Sequence, residues 1–369
     1  MSPLLVLRFR GAYTTGVTGR ERVLCAMRGG EPDRVPRALA IYAVETERFV
    51  TPGLLELLGG EAVDVQFIRF PLSTDDEEFR RRAYPNRADT RLGSSFQIAT
   101  YRRWRYRPDS SRRPNPLASA RSVRDIGRFR FPSGSGEAAL EGLRSQVRAL
   151  HDRGLAAGGS LPHLGGELFE SAWRLRGLER FLLDLAERPE LAAALLDRLT
   201  ELALRSARLL TRSGVDVLCL GDDVGMPGGM MVSPACWRAF FMSRMRRIVD
   251  AARDERPEVT VLYHSDGCYE PIVADLVSIG VDAINPVQPE HMDAPRIRGS
   301  NGGRPALWGM VGSQGSLSSS DPDVMEREVR RVLDTVGRRA VILCPAYDLD
   351  EPDTRAENVA AFLRAASRA

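Results

Sequence analysis

Apolar runs of strand length recur along this chain, and each is followed by a stretch with the spacing of an amphipathic helix. Runs that are apolar throughout are typical of strands buried on both faces, as in parallel sheets covered by helices. Eight such units predict an α/β fold, a closed (β/α)8 TIM barrel, with an open doubly wound sheet as the alternative. The predicted strands are VPRALAIY (35–42), DVQFIRF (64–70), GLAAGGSL (154–161), VDVLCLGDD (215–223), VTVLYHSD (259–266), VDAINPVQ (281–288), ALWGMVGS (306–313) and AVILCPAYD (340–348).

Helix signals and segment lengths give the domain organisation. Ser233 precedes Pro234 as an N-cap precedes the first helical position. The segment 71–153 is too long for a plain barrel loop, so we predict a hairpin and helix excursion between strands two and three. We expect one barrel domain over 18–369, preceded by an N-terminal extension, 1–17, for which disorder is one expectation.

The chain contains no lysine, so all 52 basic residues are arginine. A Schiff-base aldolase or a pyridoxal-phosphate enzyme needs a lysine amine, and a P-loop needs a lysine on its phosphates. Those mechanisms, and pyridoxal phosphate as a cofactor, are therefore excluded.

Charge and cysteine content constrain the partners and the compartment. The net charge of +3 is too small to indicate nucleic-acid binding. The densest arginine run, 101–113, is compatible with an RNA-binding patch, but we favour a solvated hairpin. Five scattered cysteines fit a reduced, cytoplasmic compartment, and no apolar stretch is long enough to span a membrane.

Polar side chains follow nearly every predicted strand, at the barrel end where active sites of this fold lie. The residues predicted to bind substrate are Arg69 at strand two, Glu167 after strand three, Asp223 at strand four, Asn285 and Gln288 at strand six, and Gln314 after strand seven. Those predicted to serve in catalysis or metal binding are Asp222 at strand four, His264 and Asp266 at strand five, and Tyr347 at strand eight. Such a concentration of charged and amide groups favours an enzyme over a purely structural barrel.

The sequence HSDG at 264–267 has three interpretations. Asp266 can cap a turn completed by Gly267. Alternatively, His264 and Asp266 face the pocket beside Asp222 or Asp223 and bind a divalent metal such as zinc, iron or manganese. Without a metal, the same residues can act as an acid–base pair.

Several segments in order resemble the uroporphyrinogen decarboxylase superfamily, which also contains corrinoid-linked methyltransferases. They are GRERVLCAMRGGEPDRVP, NPLASARSVRDIGRFRFP, ELFESAWRLRGLERFLLDLAERPELAAALLDR, GDDVGMPGGMMVSPACWRAFF, YHSDGCYEPIVADLVSIGVDAINPVQPEHMD and PDTRAENVAAFLRAA. The resemblance covers almost everything from about Thr18 onward. It implies the (β/α)8 fold, a homodimer and a small-molecule substrate.

The chain departs from the porphyrinogen-binding pattern of that superfamily. Its decarboxylases resemble one another in an aspartate after strand two that coordinates the pyrrole nitrogens, whereas here strand two ends in Arg69-Phe70-Pro71. Arg69 is suited to binding a carboxylate. We therefore expect a substrate other than uroporphyrinogen.

The methyltransferase branch of the superfamily carries a zinc site of His-x-Cys on strand five plus a cysteine on strand eight. The matching positions here are His264, Asp266 and Tyr347, so oxygen donors replace both cysteines. Cys344 lies three residues upstream of the matching position, and we expect it in the barrel wall. A thiolate zinc site is disfavoured, and a harder N/O site remains open.

Three functional hypotheses follow. The first is a decarboxylase that acts on a small carboxylated substrate, aromatic or heterocyclic, with Asp222, His264 and Tyr347 as catalytic residues. The second is metal-dependent methyl transfer, which alone would require a corrinoid protein or thiol partner. The third is a non-catalytic barrel that binds a metabolite.

Overall fold

Seven parallel strands form one curled sheet in the computed structural model, which describes residues 16–43, 49–83, 115–162, 166–312, 315–321, 323–349 and 353–369. In sheet order the strands are β1 (Val65–Phe67), β2 (Ala156–Ser160), β3 (Val217–Gly221), β6 (Thr260–His264), β7 (Ala283–Asn285), β8 (Ala306–Val311) and β9 (Val341–Pro345). A separate antiparallel hairpin comprises β4 (Gly225–Met226) and β5 (Gly229–Met230). The prediction of a TIM-type barrel is confirmed.

The predicted first strand, 35–42, occupies the eighth position of the barrel but pairs only briefly. Ala38 N–H donates to Leu343 O at 2.8 Å, and Leu343 N–H donates to Pro36 O at 2.8 Å. On the other side, Asp64 N–H donates to Arg37 O at 2.8 Å. Pro36 has no N–H to extend the ladder, so this segment forms a single bridge rather than a full strand.

Helices cover the outside of the sheet and connect its strands. They span Gly19–Met27, Pro52–Leu57, Thr74–Ala83, Val123–Arg128, Leu140–His151, Phe169–Arg176, Leu178–Glu187, Pro189–Ser213, Pro234–Trp237, Ser243–Glu255, Val273–Ser278, Ala294–Ser300, Val324–Val336 and Ala356–Ser367. Short 3-10 helices lie at Glu137–Ala139 and Glu270–Ile272, and a π-helical turn lies at Arg238–Met242. Ser233 accepts a hydrogen bond from Cys236 N–H, as its predicted N-cap role requires. No helix among the described residues is long and apolar enough to span a bilayer.

The described part of the long segment 71–153 contains helices, including the predicted one that leads into β2, now placed at Leu140–His151. Residues 84–114, which include the arginine run 101–113, lie outside the described residues, as do residues 1–15 of the N-terminal extension and Gln314.

Alternate residues of the strands face the barrel lumen and the surrounding helices. The first helix, Gly19–Met27, contributes Val23, Ala26 and Met27 to the lumen cluster and closes one end of it. From the strands, the lumen contains Val65, Phe67, Ala156, Val217, Cys219, Leu262, Ala283, Ala306, Trp308, Ile342 and Cys344. The intervening residues pack outward against the helices. A barrel of this size is filled by side chains, so a ligand can enter only at an end.

Three aspartates, two of them buried and Asp282 half-buried, join neighbouring strands at the amino-terminal end of the barrel. Asp64, Asp216 and Asp282 each accept a backbone N–H from the preceding strand, at 2.9, 3.0 and 2.9 Å. Each also pairs with at least two arginines. These carboxylates satisfy strand N–H groups that the ladder leaves unpaired, so this end of the barrel is closed and charge-neutralised.

Asp216 provides a test of this arrangement. Burial alone would raise its pKa, but hydrogen bonds from Arg20 and from Ala157 N–H outweigh burial and hold the pKa of Asp216 below its ordinary value. We expect Asp216→Ala to lower the free energy of unfolding by about 3 kcal/mol at pH 7, measured by urea denaturation. Because the folded pKa is depressed, this contribution is present above the unfolded pKa and is lost as pH falls through the folded one.

The matched control is Glu201→Ala, which removes a solvent-exposed ion pair with Arg247. Its expected cost is below about 1 kcal/mol. Equal costs for the two variants would contradict a special role for the buried aspartates.

Candidate metal centre

The candidate site lies where β3 and β6 end. One donor atom from each of Asp223, His264 and Asp266 lies within 4.8 Å of those of the other two. His264 Nε2 is 3.6 Å from Asp223 Oδ1, and Asp266 N–H donates to the same oxygen at 2.9 Å. The three side chains are half-buried, so they remain accessible from the open end of the barrel.

Asn285 fixes the orientation of the His264 ring. Its Nδ2 donates to Trp308 O at 3.3 Å, which directs its Oδ1 toward His264 Nδ1 at 2.8 Å. Nδ1 must therefore carry the proton in the neutral ring, because Oδ1 can only accept. The lone pair of a neutral His264 is then on Nε2, which faces Asp223. In metal sites, histidine ligands are oriented by a hydrogen bond of this kind from the ring nitrogen that does not bind the metal.

Gln288 holds the other carboxylate in place. Its Nε2 donates to Asp266 Oδ1 at 3.2 Å and to Ala346 O at 3.4 Å, while its Oε1 accepts from Gly267 N–H at 2.8 Å. The two amides that we predicted to bind substrate, Asn285 and Gln288, thus both contact residues of the cluster.

The negative charges of Asp223 and Asp266 dominate the electrostatics of the cluster. Burial lowers the pKa of His264, but the negative charges of Asp223 and Asp266 raise it more, so its pKa lies above the ordinary value. Burial and the charge of Asp223 raise the pKa of Asp266. Among the described residues, no arginine lies within ion-pair distance of Asp223 or Asp266. A cation relieves this repulsion, so the donor set fits a divalent metal.

Asp222 and Glu167 lie outside the pocket, with hydrogen bonds to backbone. Asp222 is buried and accepts N–H bonds from Phe169 and Glu170 at 2.6 and 3.0 Å, at the start of a helix. Burial raises its pKa to about 7. Glu167 is also buried and accepts from Gly221 N–H at 2.5 Å. Their contacts are structural, and the predicted catalytic, metal and substrate roles of these two residues remain predictions.

Two further candidates lie at or beyond the edge of the site. Tyr347 lines the same cleft as His264 and Asp266, and its hydroxyl donates to Glu290 Oε2 at 2.7 Å. Arg69 is solvent-exposed, and its backbone exchanges hydrogen bonds with Gln146. The cleft is lined by residues that follow β6, β7 and β9 and by the segment 39–42.

The structure places Asp223 rather than Asp222 in the ligand cluster. The strand alternation explains this, since Val217 and Cys219 face the lumen while Leu218 and Leu220 face the helices. The same alternation places Cys344 in the lumen and at the floor of the cleft, whereas we expected it in the barrel wall. Burial raises the pKa of the Cys344 thiol to about 12, so it is neutral at pH 7.

A family model described as uroporphyrinogen decarboxylase (URO-D) matches residues 168–369, more than half of the chain. The chain belongs to the uroporphyrinogen decarboxylase family. The matched region includes all three residues of the metal-type cluster. Among curated protein sequences, none matches this chain.

Comparison with solved structures gives one whole-chain likeness that supports the fold. A methyltransferase from Methanosarcina mazei superposes with a TM-score of 0.66 at 20% identity, covering 96% of this chain and 99% of that one. A B12-independent methionine synthase from Shewanella sp. W3-18-1 is less similar, with a TM-score of 0.39, 13% identity and coverage of 62% and 64%. At 20% identity, the similarity to the Methanosarcina mazei methyltransferase shows a shared fold.

The charge coupling within the cluster can be tested in metal-free protein. We expect Asp223→Asn to lower the pKa of His264, because the attraction of Asp223 for the imidazolium is lost while burial remains. The pKa can be followed by NMR of histidine-labelled protein, which has only four such residues. Since the pKa of His264 is raised on folding, its stabilising effect is present below the unfolded pKa and is lost as pH rises through the folded one.

Asp275→Asn is the control, because Asp275 pairs with Arg238 on an outer helix. It should leave the His264 titration unchanged. An unchanged or higher pKa in Asp223→Asn would mean that the two residues are not coupled.

Proposed function

We propose that this chain is a metal-dependent lyase that decarboxylates a small carboxylated substrate, aromatic or heterocyclic, with Asp223, His264 and Asp266 holding a divalent cation. The observation that carries the proposal is the convergence of one imidazole and two carboxylates at the carboxyl ends of β3 and β6. Nitrogen and oxygen donors of this kind suit zinc, iron or manganese.

A bound divalent cation would supply Lewis acidity, which polarises a substrate oxygen and stabilises negative charge. In decarboxylation the bond to the carboxylate carbon breaks, carbon dioxide leaves, and the electron pair remains on the substrate until a proton arrives. Tyr347 lines the cleft and is the candidate donor of that proton. In this structure that proton is donated to Glu290 Oε2 at 2.7 Å, so its delivery to the substrate would require the hydroxyl to exchange Glu290 for the substrate carbon.

The remaining candidates would support this chemistry. Asn285 and Gln288 would orient the ligands rather than contact the substrate, given their bonds to His264 and Asp266. Arg69 and Gln314 stay proposed substrate-binding residues. The missing pyrrole-binding aspartate, with Arg69-Phe70-Pro71 in its place, favours a substrate other than uroporphyrinogen. We further expect a homodimer.

Methyl transfer is the second candidate. It is supported by the correspondence of His264 and Asp266 to the zinc-binding positions of the methyltransferase branch, and by the similarity of the whole chain to a methyltransferase. The donor set argues against it, because activation of a thiol by zinc is favoured by thiolate ligands, and oxygen donors replace them here. Only this reaction would require a corrinoid protein or thiol.

Metal content is the decisive measurement. We expect about one equivalent of divalent metal per chain by elemental mass spectrometry, and at least about tenfold weaker binding in His264→Ala or Asp266→Ala, because each loses a ligand. His291→Ala is the matched control, since His291 lies outside the cluster. Wild-type protein that remains metal-free after incubation with zinc, iron and manganese would refute the metal proposal.

The reaction is tested separately. We expect the metal-loaded protein to release carbon dioxide from a member of a panel of aromatic and heterocyclic acids. Tyr347→Phe should retain the metal but turn over at least about 100-fold more slowly, since it lacks the proton donor. Methyl transfer from methylcobalamin to a small thiol, without carbon dioxide release from any acid, would favour the second candidate instead.

A further inference from the structure

The hairpin Gly225–Met230 is bound to the turn that carries Asp266. Cys268 N–H donates to Met226 O at 2.9 Å. The Ser265 hydroxyl, which is fully buried, accepts N–H bonds from Val224 and Gly225, both at 3.2 Å, and donates to Asp266 O at 3.0 Å. These bonds join the loop after β3 to the loop after β6, immediately beside the ligand cluster.

Two glycines allow the backbones to approach this closely. A Cβ on Gly225 would overlap the Asp266 carbonyl oxygen and lie 2.9 Å from Cys268 N. A Cβ on Gly267 would lie 2.6 Å from Met226 N, and Gly267 has a φ of 74°, which also favours glycine. Gly228 is in the same hairpin, but a Cβ there would meet no atom within 4 Å. The requirement for glycine is therefore local to the contact.

We propose that this contact, hereafter the clasp (Ser265, Gly225 and Gly267), is a positioning device that presents Asp223 and Asp266 to the metal as one rigid unit. The two aspartates come from different strands and repel each other, so something must hold them together before a cation binds. The only direct bond between them is Asp266 N–H to Asp223 Oδ1 at 2.9 Å among the described contacts. The clasp holds the loop that carries Asp223 against the loop that carries Asp266, beside that bond.

Ser265 is a positioning residue rather than a ligand. Its hydroxyl contacts backbone groups, and Ser265 N–H also donates to Asn285 O at 2.9 Å on β7. Through this bond the clasp is connected to the strand that carries Asn285, the residue that orients His264. A single buried serine thus connects the elements that position all three members of the cluster.

The first test is amide hydrogen exchange in metal-free protein, which does not depend on the proposed function. We expect Gly225→Ala and Ser265→Ala to accelerate exchange at least about tenfold in peptides covering 222–231 and 264–269, because the joining bonds are lost. Gly228→Ala should exchange like the wild type. Exchange in Gly225→Ala that matches Gly228→Ala would overturn the clasp.

The second test concerns metal binding and rests on the proposed function. We expect Gly225→Ala and Ser265→Ala to bind Zn²⁺ about 10- to 100-fold more weakly than wild type, with Gly228→Ala unchanged. The visible absorption of bound Co²⁺ should change in the first two variants, because the ligand geometry relaxes. Circular dichroism and thermal melting identify any variant that simply fails to fold, and Ser265→Ala is the milder substitution.

The two tests separate two kinds of failure. Wild-type protein that binds neither Zn²⁺ nor Co²⁺ would overturn the proposed function, and the exchange result would still decide whether the loops are held by the clasp. Normal Zn²⁺ affinity and an unchanged Co²⁺ spectrum in both clasp variants would overturn its role in positioning the ligands.

Discussion

Closure of the barrel by the short bridge at Pro36–Ala38 is the constraint on which the rest of the structure depends. This segment donates and accepts on both sides, to β9 through Leu343 and to β1 through Asp64. Without it, the first and last strands would be edges with unpaired backbone groups. Closure also brings the carboxyl ends of β6, β7 and β9 and the segment 39–42 around one cleft, so residues far apart in sequence meet there.

Aspartates at the two ends of the barrel differ in whether arginines neutralise their charge. At the amino-terminal end, Asp64, Asp216 and the half-buried Asp282 are neutralised by arginines and by strand N–H groups. At the other end, Asp223 and Asp266 have only His264 as a cationic neighbour within the described part of the chain. The first arrangement stabilises the fold. The second leaves negative charges close together, which raises the pKa of Asp266 and can be relieved by a bound proton or by a cation.

The sequence predicts the fold well, but not the direction in which each candidate site residue points. Alternation of apolar runs and helices was sufficient for the barrel, and of the predicted strand-end residues His264, Asp266, Asn285 and Tyr347 line one cleft. The run from Val217 to Leu220 is apolar on both faces, so it carries no signal for which of Asp222 and Asp223 faces inward. Only the packed structure shows that Asp222 binds helix N–H groups while Asp223 joins the cluster. The short pairing of 35–42 depends on Pro36 and could not be inferred from hydrophobicity.

The clasp was also beyond sequence reasoning, because glycine in a loop has many causes. Gly225 and Gly228 look equivalent in GMPGGMM, yet only the first is in contact with another backbone. What distinguishes them is the neighbouring turn, which is about 40 residues later in the chain.

In the proposed metal site, two carboxylates stand where the methyltransferase branch has two thiolates, so the negative charge is kept while the donor type changes. In the His-Cys-Cys pattern of the methyltransferase branch, two thiolates would neutralise a divalent cation. In this chain Asp266 takes the place of one thiolate, and Asp223 supplies the second negative charge from β3 in place of a residue on strand eight. Carboxylates are harder donors than thiolates, so the same total charge leaves a bound metal more acidic toward substrate oxygen and less suited to a thiol. The proposed site thus combines His264 with two hard, negatively charged donors, a set that suits a metal acting on a substrate oxygen rather than on a thiol.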